Sequence, residues 1–213
     1  MNTQPIPSVI SPMLLSAARD PFDSPSHLFE IKWDGIRCIA HVGEAVCLQT
    51  RRLHTVTAQF PEVAEALRQF PEGTVLDGEL VVFEGGRPSF ETVRRRIAMH
   101  NPQRILQTAT ARPTTFMVFD LLYLAGSPMM ALPLEERRRH LLELEPEDGP
   151  VCIPEHFDSG TALYAAAIGQ GLEGIVAKRR DSRYTPGRRS PAWVKCKPPD
   201  YDSGRFDDLR KRL

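Results

Sequence analysis

Glu30-Ile31-Lys32-Trp33-Asp34-Gly35-Ile36-Arg37 is the stretch whose reading decides the fold of this 213-residue chain. An apolar entry, Leu28-Phe29, precedes it, and an alternating run of Ile36, Cys38, Ala40 and Val42 follows. The pattern predicts a strand ending near Lys32, a turn at Asp34-Gly35, and a second strand. Alternation puts Glu30 and Lys32 on one face of the first strand and Phe29 and Ile31 on the opposite, apolar face. The amine therefore lies at a sheet edge, where a pocket can open. A lysine becomes a useful nucleophile near pH 7 only where desolvation or neighbouring cations hold part of it neutral. Taken alone the string reads as a solvated lysine on a surface strand, so the decision rests on the rest of the chain.

Working outward, Thr74 to Phe83 is apolar on both faces except at Asp77 and Glu79, which project together on one of them. A run of this kind reads as a buried strand. Burying an unpaired carboxylate costs several kcal/mol, roughly, so both acids need a cation or a hydrogen-bonding ligand. Glu173-Gly174-Ile175-Val176-Ala177-Lys178 is a strand opened by a carboxylate and closed by an amine, and Ala192 to Lys197 is a strand with Trp193, Lys195 and Lys197 on one face. Two lysines on one face repel unless an anion lies between them, and phosphate fits; the plain alternative is a solvated edge. Thr114 to Leu124 is a further strand, in which Phe119 is core unless it closes over a planar ligand. Helices are expected over Phe60–Phe70, Ser89–Met99, Pro133–Leu144 and Asp158–Ile168, from capping residues, first-turn prolines and apolar spacing. Residues 20–27 read as a loop, and Gly43-Glu44 as a turn into a strand over Ala45–Gln49.

The chemistry these strands assemble is specific in kind. Glu79 and Glu173 can hold a ribose hydroxyl and a magnesium-type cation, while Lys178, Lys195 and Lys197 bind phosphate oxygens. Neither a Gly-x-x-x-x-Gly-Lys-Ser/Thr loop nor a Gly-x-Gly-x-x-Gly fingerprint is present, so phosphates are not cradled as in those folds. A lysine nucleophile among phosphate binders points to attack on phosphorus.

Composition bounds the partners. With 41% hydrophobic and 25% charged residues the chain can bury a sizeable core unaided. Its four cysteines are scattered, with neither disulfide-framework nor zinc spacing, which implies reduced thiols and a cytoplasmic protein. No run reaches membrane-spanning length. A formal net charge of zero argues against coating nucleic acid by bulk charge, so any such contact must be local. Arg137 to Arg139 read as a solvated helix face. Arg179, Arg180, Arg183, Arg188 and Arg189 interleave with Tyr184, Pro186 and Gly187, and such a basic, turn-rich loop beside a pocket can meet a phosphate backbone.

The motifs Lys32-Trp-Asp-Gly-Ile-Arg37, Leu76-Asp-Gly-Glu-Leu80, Phe119-Asp-Leu-Leu-Tyr123, Glu173-Gly-Ile-Val-Ala-Lys178 and Trp193-Val-Lys-Cys-Lys197 occur in an order that resembles the covalent nucleotidyltransferases. With Tyr184-Thr-Pro-Gly-Arg-Arg-Ser190 added, the chain from about Pro12 to Lys197 is similar to the adenylation domain of bacterial ATP-dependent DNA ligases of the end-joining type. The resemblance implies an α+β, ATP-grasp-like nucleotidyltransferase domain over residues 13–197, two antiparallel sheets flanked by helices with a pocket between them, after an extended arm over 1–12. It further implies that ATP leaves AMP on Lys32 as a phosphoramidate. Glu30 would help read adenine, Phe119 stack on it, and Arg37, Arg51 and Glu79 contact ribose or phosphate. Glu173 and Glu79 would support Mg2+ or Mn2+, and Lys195 and Lys197 hold the α-phosphate, beside Lys178. The partners implied are nicked or broken double-stranded DNA at the bacterial nucleoid, met by a monomer. RNA ligation, mRNA capping and a non-catalytic nick- or end-binding module are the alternatives.

Two departures stand out. After Arg51 the family has a small and then an acidic residue, where this chain has Leu53 and Thr55, which bears on ribose alignment or DNA contact. The family also continues past its last lysine pair into an OB-fold, whereas sixteen mostly polar residues follow Lys197, fewer than five strands of about five residues need. The expectation is a polar tail over 198–213, no OB-fold within the chain, and slow self-adenylation or an OB-fold or end-joining partner supplied in trans.

Overall fold

The computed structural model describes residues 6–16, 20–144 and 149–198. In chain order the strands are β1 (Leu14–Ser16), β2 (His27–Ile31), β3 (Ile36–Val42), β4 (Cys47–Thr50), β5 (Thr74–Glu84), β6 (Arg87–Pro88), β7 (Thr114–Leu124), β8 (Ser127–Pro128), β9 (Val151–Cys152), β10 (Ile175–Arg179) and β11 (Arg189–Cys196). The helices are α1 (Pro61–Leu67), α2 (Phe90–Ile97), α3 (Pro102–Ala111), α4 (Leu134–Leu142) and α5 (Gly160–Gly169). One sheet runs β1-β11-β10-β2; the other runs β4-β3-β5-β7-β8, with β6 on β5 and β9 on β7. Both are antiparallel except where β1 joins β11 and β9 joins β7 in parallel. Of the arm expected over 1–12, Ile10 is buried, as is Met13 just after it. The tail expected over 198–213 lies outside the described residues apart from Pro198. No helix among the described residues is long and apolar enough to cross a membrane.

Three apolar clusters define the layers. Phe29, Ile175, Ala177 and Cys196 pack against Leu163 and Ala167 of α5, on the outside of the smaller sheet. Leu28, Ile39, Val75, Phe119, Leu122 and Trp193 fill the space between the sheets. Leu76, Leu80, Phe116 and Val118 meet Val63 and Leu67 of α1 and Val93 of α2 on the far side of the larger sheet. Each fully buried side chain of this size is worth about 1.5–3 kcal/mol. Strand β5 lies between β3 and β7 and is buried on both faces, as its continuous apolar run predicts.

The turn after Lys32 does not make a hairpin. β2 pairs with β10 and β3 pairs with β4 and β5, so residues 32–35 carry the chain from one sheet to the other. Gly35 permits the crossing: a Cβ there would stand 2.3 Å from the Leu80 carbonyl oxygen. The nucleophile candidate is thus at the seam between the sheets, where a cleft opens.

The expected helices form, three of them trimmed by one to three residues at each end, while α5 starts two residues later than expected and runs one residue further, to Gly169. Helix α3 was not anticipated: Ile105 is its only buried side chain, so its apolar pattern is weak. Its signal is the start, where Asn101 Oδ1 accepts from the Arg104 N–H at 3.0 Å and Pro102 takes the first turn.

Candidate active site

The backbone places Lys32 before any side chain acts. Its N–H donates to the Gly174 carbonyl at 2.9 Å, extending the pairing with the β10 segment by one residue beyond β2. Gly174 has φ 137°, and a Cβ on it would lie 2.2 Å from the Cys196 carbonyl oxygen, so glycine is what brings this segment against β11. In consequence Glu173 stands beside Lys32, whose Nζ donates to Glu173 Oε2 at 2.7 Å. The Glu173 side chain is 2% exposed and that of Lys32 17%, the latter opening on the cleft.

Across the cleft, β3 and β5 set Arg37 opposite Glu79 in register. Burial pushes the half-buried Glu79 carboxyl up to about 7, while Arg37 and Lys32 pull it down. Arg37 is held from below: Nε donates to Asp77 Oδ1 at 2.5 Å and Nη2 to Oδ2 at 2.6 Å. Burial works against the Arg37 charge, but the Asp77 carboxylate outweighs it and keeps the guanidinium more firmly protonated than usual. Asp77 Oδ2 also accepts from the Tyr184 hydroxyl at 2.6 Å, and that hydroxyl accepts from the Met13 N–H at 2.9 Å. A buried carboxylate with three donors and a cation carries no unpaired cost.

The cavity between the sheets holds about 290 Å³. Its walls carry Lys32, Arg37, Arg51, Arg189 and Lys195 against the carboxylates of Glu79 and Glu173, five cations to two anions, an excess that suits a polyphosphate. An adjoining slot of about 50 Å³ is lined by Glu30, Phe119, Val176, Lys178 and Trp193, among others. There Lys178 Nζ lies 2.6 Å from Glu30 Oε2, 4.2 Å from the Phe119 ring centre and 4.4 Å from that of Trp193. Burial lowers the Lys178 ammonium below the ordinary lysine range and Glu30 draws it back up.

The residues expected from the sequence divide accordingly. Lys32, Arg37, Arg51, Glu79, Glu173 and Lys195 meet in the cavity, and Glu30, Phe119 and Lys178 in the slot. Lys197 follows β11, half-buried, and lines neither. Of the basic loop, Arg189 lines the cavity and gives an N–H to the Leu15 carbonyl, and Arg183 and Arg188 are exposed. Arg179 is bound to Asp181 at 2.6 Å and Arg180 to Asp158 at 2.5 Å.

Three side-chain partnerships escaped the sequence reading. Asp77 was recognised as a buried acid, but its partners Arg37 and Tyr184 were not. More sharply, Arg137 and Arg138 are not on a solvated helix face. Arg137 is fully buried and pairs twice with Asp120 at 2.7 Å, and Arg138, 3% exposed, donates to Glu30 Oε1 at 3.0 Å; of the three only Arg139 is exposed. The one available signal was that α4 carries Leu134 and Leu141 on the face these arginines share, which turns them inward.

For a metal, Glu79 and Glu173 line the same cavity as Lys32, and no cluster of three or more His, Cys, Asp or Glu occurs among the described residues. Two carboxylates beside a phosphate site fit Mg2+ or Mn2+, which take few protein ligands and keep phosphates and water.

Comparison with known proteins agrees in kind with this geometry. The family model of the ATP-dependent DNA ligase domain matches residues 12–197. The chain is 36% identical over 195 residues to the SPbeta prophage-derived DNA ligase-like protein LigB of Bacillus subtilis (strain 168), covering 90% of this chain and 68% of that one. It is 37% identical over 175 residues to the multifunctional non-homologous end joining DNA repair protein LigD of Mycobacterium tuberculosis (strain ATCC 25618 / H37Rv), covering 79% of this chain but only 21% of LigD. Among solved structures, mycobacterial DNA ligase D complexed with ATP and MES superposes with a TM-score of 0.74 at 34% identity, over 88% of this chain and 60% of that one.

Proposed function

The chain belongs to the ATP-dependent DNA ligase domain family, and from that premise we propose that it forms a covalent lysyl-AMP on Lys32 and passes the AMP to a DNA 5′-phosphate. The observation that carries this reading is the Lys32 amine at 2.7 Å from a buried carboxylate, in a cavity with cations in excess. The base of ATP enters the slot between Phe119 and Val176, with the α-phosphate beside Lys32 and Lys195 and the ribose toward Glu79 and Arg37. The Lys32 nitrogen attacks the α-phosphorus, an N–P bond forming as the bond to the pyrophosphate oxygen breaks, and the amine proton passes to Glu173. Lys195 and Arg51 stabilise the charge that builds on the phosphates, and Lys197, two residues along from Lys195, adds positive charge on the same side.

Glu173 and Glu79 would hold the Mg2+ or Mn2+ ion, which when bound neutralises phosphate charge. In the next steps a 5′-phosphate oxygen attacks the AMP phosphorus, so that a P–O–P bond forms as the N–P bond breaks. A 3′-hydroxyl then displaces AMP from the 5′-phosphorus and seals the strand. Arg183, Arg188 and Arg189 meet the duplex backbone, with Arg179 and Arg180 secondary because carboxylates already engage them. The substrate is nicked or broken double-stranded DNA at the nucleoid, handled by a monomer in the cytoplasm.

The test is intact mass after incubation with ATP and Mg2+ or Mn2+. Wild type gains one AMP and Lys32→Ala gains none; an unmodified wild type overturns the reading, and equal labelling by GTP moves it to capping-type chemistry.

A further inference from the structure

Glu30 lies in the wall of the slot with a different cation on each oxygen: Lys178 Nζ at 2.6 Å from Oε2 and Arg138 Nη1 at 3.0 Å from Oε1. Neutrality needs only one. The two cations differ in place. Lys178 lines the slot and stands over the Phe119 ring, whereas Arg138 does not line it and is tied back by Nη2 to the Pro154 carbonyl at 2.7 Å. Its helix is pinned in turn, because the neighbouring Arg137 bonds Asp120, the Leu132 carbonyl and the Ser182 carbonyl.

The slot as it stands has no seat for a base. Phe119 is 7% exposed and the free volume of about 50 Å³ has room for a few waters, not for a purine. A base that stacks on Phe119 must therefore move the Lys178 ammonium, which sits on a flexible stem next to the phosphate cavity. Once it has moved, the buried Glu30 carboxylate, 3% exposed, keeps one counter-charge, that of Arg138. Without that guanidinium the carboxylate would be buried with no counter-charge to hold it as an oriented acceptor, the arrangement that burial penalises most. An ionised carboxylate only accepts hydrogen bonds, while a protonated one also donates. The ionised form accepts from a 6-amino group and opposes a 6-oxo oxygen; the protonated form welcomes the 6-oxo group.

We infer that Arg138 is a specificity-determining positioning residue, which keeps Glu30 an oriented acceptor after Lys178 is displaced and so selects 6-amino over 6-oxo purines. The inference rests on the adenylation reading above, with the purine in this slot.

The test is kcat/KM for labelling of Lys32 by ATP and by ITP, which differ at position 6. Labelling of wild type by ATP, absent in Lys32→Ala, establishes the underlying reading independently of what Arg138 does. In Arg138→Met, and in Arg138→Gln, which keeps a donor for the Pro154 carbonyl, the ATP/ITP ratio falls about tenfold or more, because the acceptor that distinguishes the two purines is compromised. The loss is carried mainly by a higher KM for ATP, and Arg138→Lys, which keeps the charge, recovers most of the ratio. Thermal unfolding of each variant confirms that it is folded, and Arg138→Gln carries the test if Arg138→Met does not fold. An unchanged ratio, or an equal loss on both nucleotides, overturns the assignment.

Discussion

Replacing Asp77 by Asn leaves the volume of the side chain nearly unchanged and removes one negative charge from a fully buried point, where Arg37 and Tyr184 converge. Asp77 Oδ2 receives two donors and Oδ1 one, so the amide oxygen of Asn takes the Oδ2 place and its NH2 is turned toward Arg37 Nε, donor against donor. Arg37, 17% exposed, then loses its main counter-charge and keeps only the weaker influence of Glu79. Removing one member of such a pair costs about 3–5 kcal/mol, and the partial exposure of Arg37 places the cost near the lower end. Against a total stability of about 5–15 kcal/mol this is a large share. With a urea dependence of about 2–3 kcal/mol per M, the denaturation midpoint falls by about 1–1.5 M. Arg37→Met combined with Asp77→Leu removes both charges and recovers part of that midpoint, because no buried charge remains although the Tyr184 hydroxyl loses its acceptor. Labelling with ATP separates packing from function: it is lost in Asp77→Asn and stays lost in the stable double variant, which has no Arg37. A midpoint shift below about 0.3 M for Asp77→Asn, or a double variant less stable than the single one, refutes the reasoning.

The remaining predictions concern the same cleft. Burial pushes the half-buried Glu79 carboxyl up to about 7 in the fold from 4.5. The folded state therefore holds a proton that the unfolded chain has released between those values, and this group's contribution to stability falls as pH rises through the window. Glu79→Gln flattens that slope, measured as urea midpoints at pH 5 and pH 8; an identical slope in the variant counts against the assignment. Gly174→Ala places a methyl 2.2 Å from the Cys196 carbonyl oxygen at φ 137°. It should cost about 2–4 kcal/mol, read as a lower melting temperature, and should slow Lys32 labelling by displacing Glu173; a variant as stable and as fast as wild type removes the role given to that glycine.

What was legible in the sequence was what is local. Glu30 with Lys32, Asp77 with Glu79, and Trp193 with Lys195 were placed on common faces by strand alternation alone, and those faces do line the cleft or its walls. What was not legible depends on partners far along the chain. Arg138 meets Glu30 across 108 residues and Arg96 meets Glu62 across 34, so a run of arginines on a short helix gives no sign of which members turn inward. The partner of the strand after Lys32 was hidden for a similar reason: the pattern marks the turn at Asp34-Gly35, but the next strand pairs in the other sheet, where Gly35 passes close over Leu80. Leu53, where the family has a small residue, adopts φ 69° in a turn closed by its N–H to the Thr50 carbonyl. That left-handed backbone favours glycine and accounts for the small residue, which the sequence comparison could note without explaining.

The smaller sheet joins β2 to β10, β10 to β11 and β11 to β1, so Lys32 is completed by segments that leave the ribosome long after it does. Lys32 and Cys196 are 164 residues apart (196 minus 32), which at about 5–20 residues per second is roughly 8–30 s of translation. For that interval the nascent chain carries Lys32 just past β2, without the β10 and β11 segments that flank it in the fold. Cotranslational assembly thus leaves the Lys32 side of the cleft incomplete until β10 and β11 have docked, and a ribosome stalled before residue 173 displays the lysine without the carboxylate that engages it.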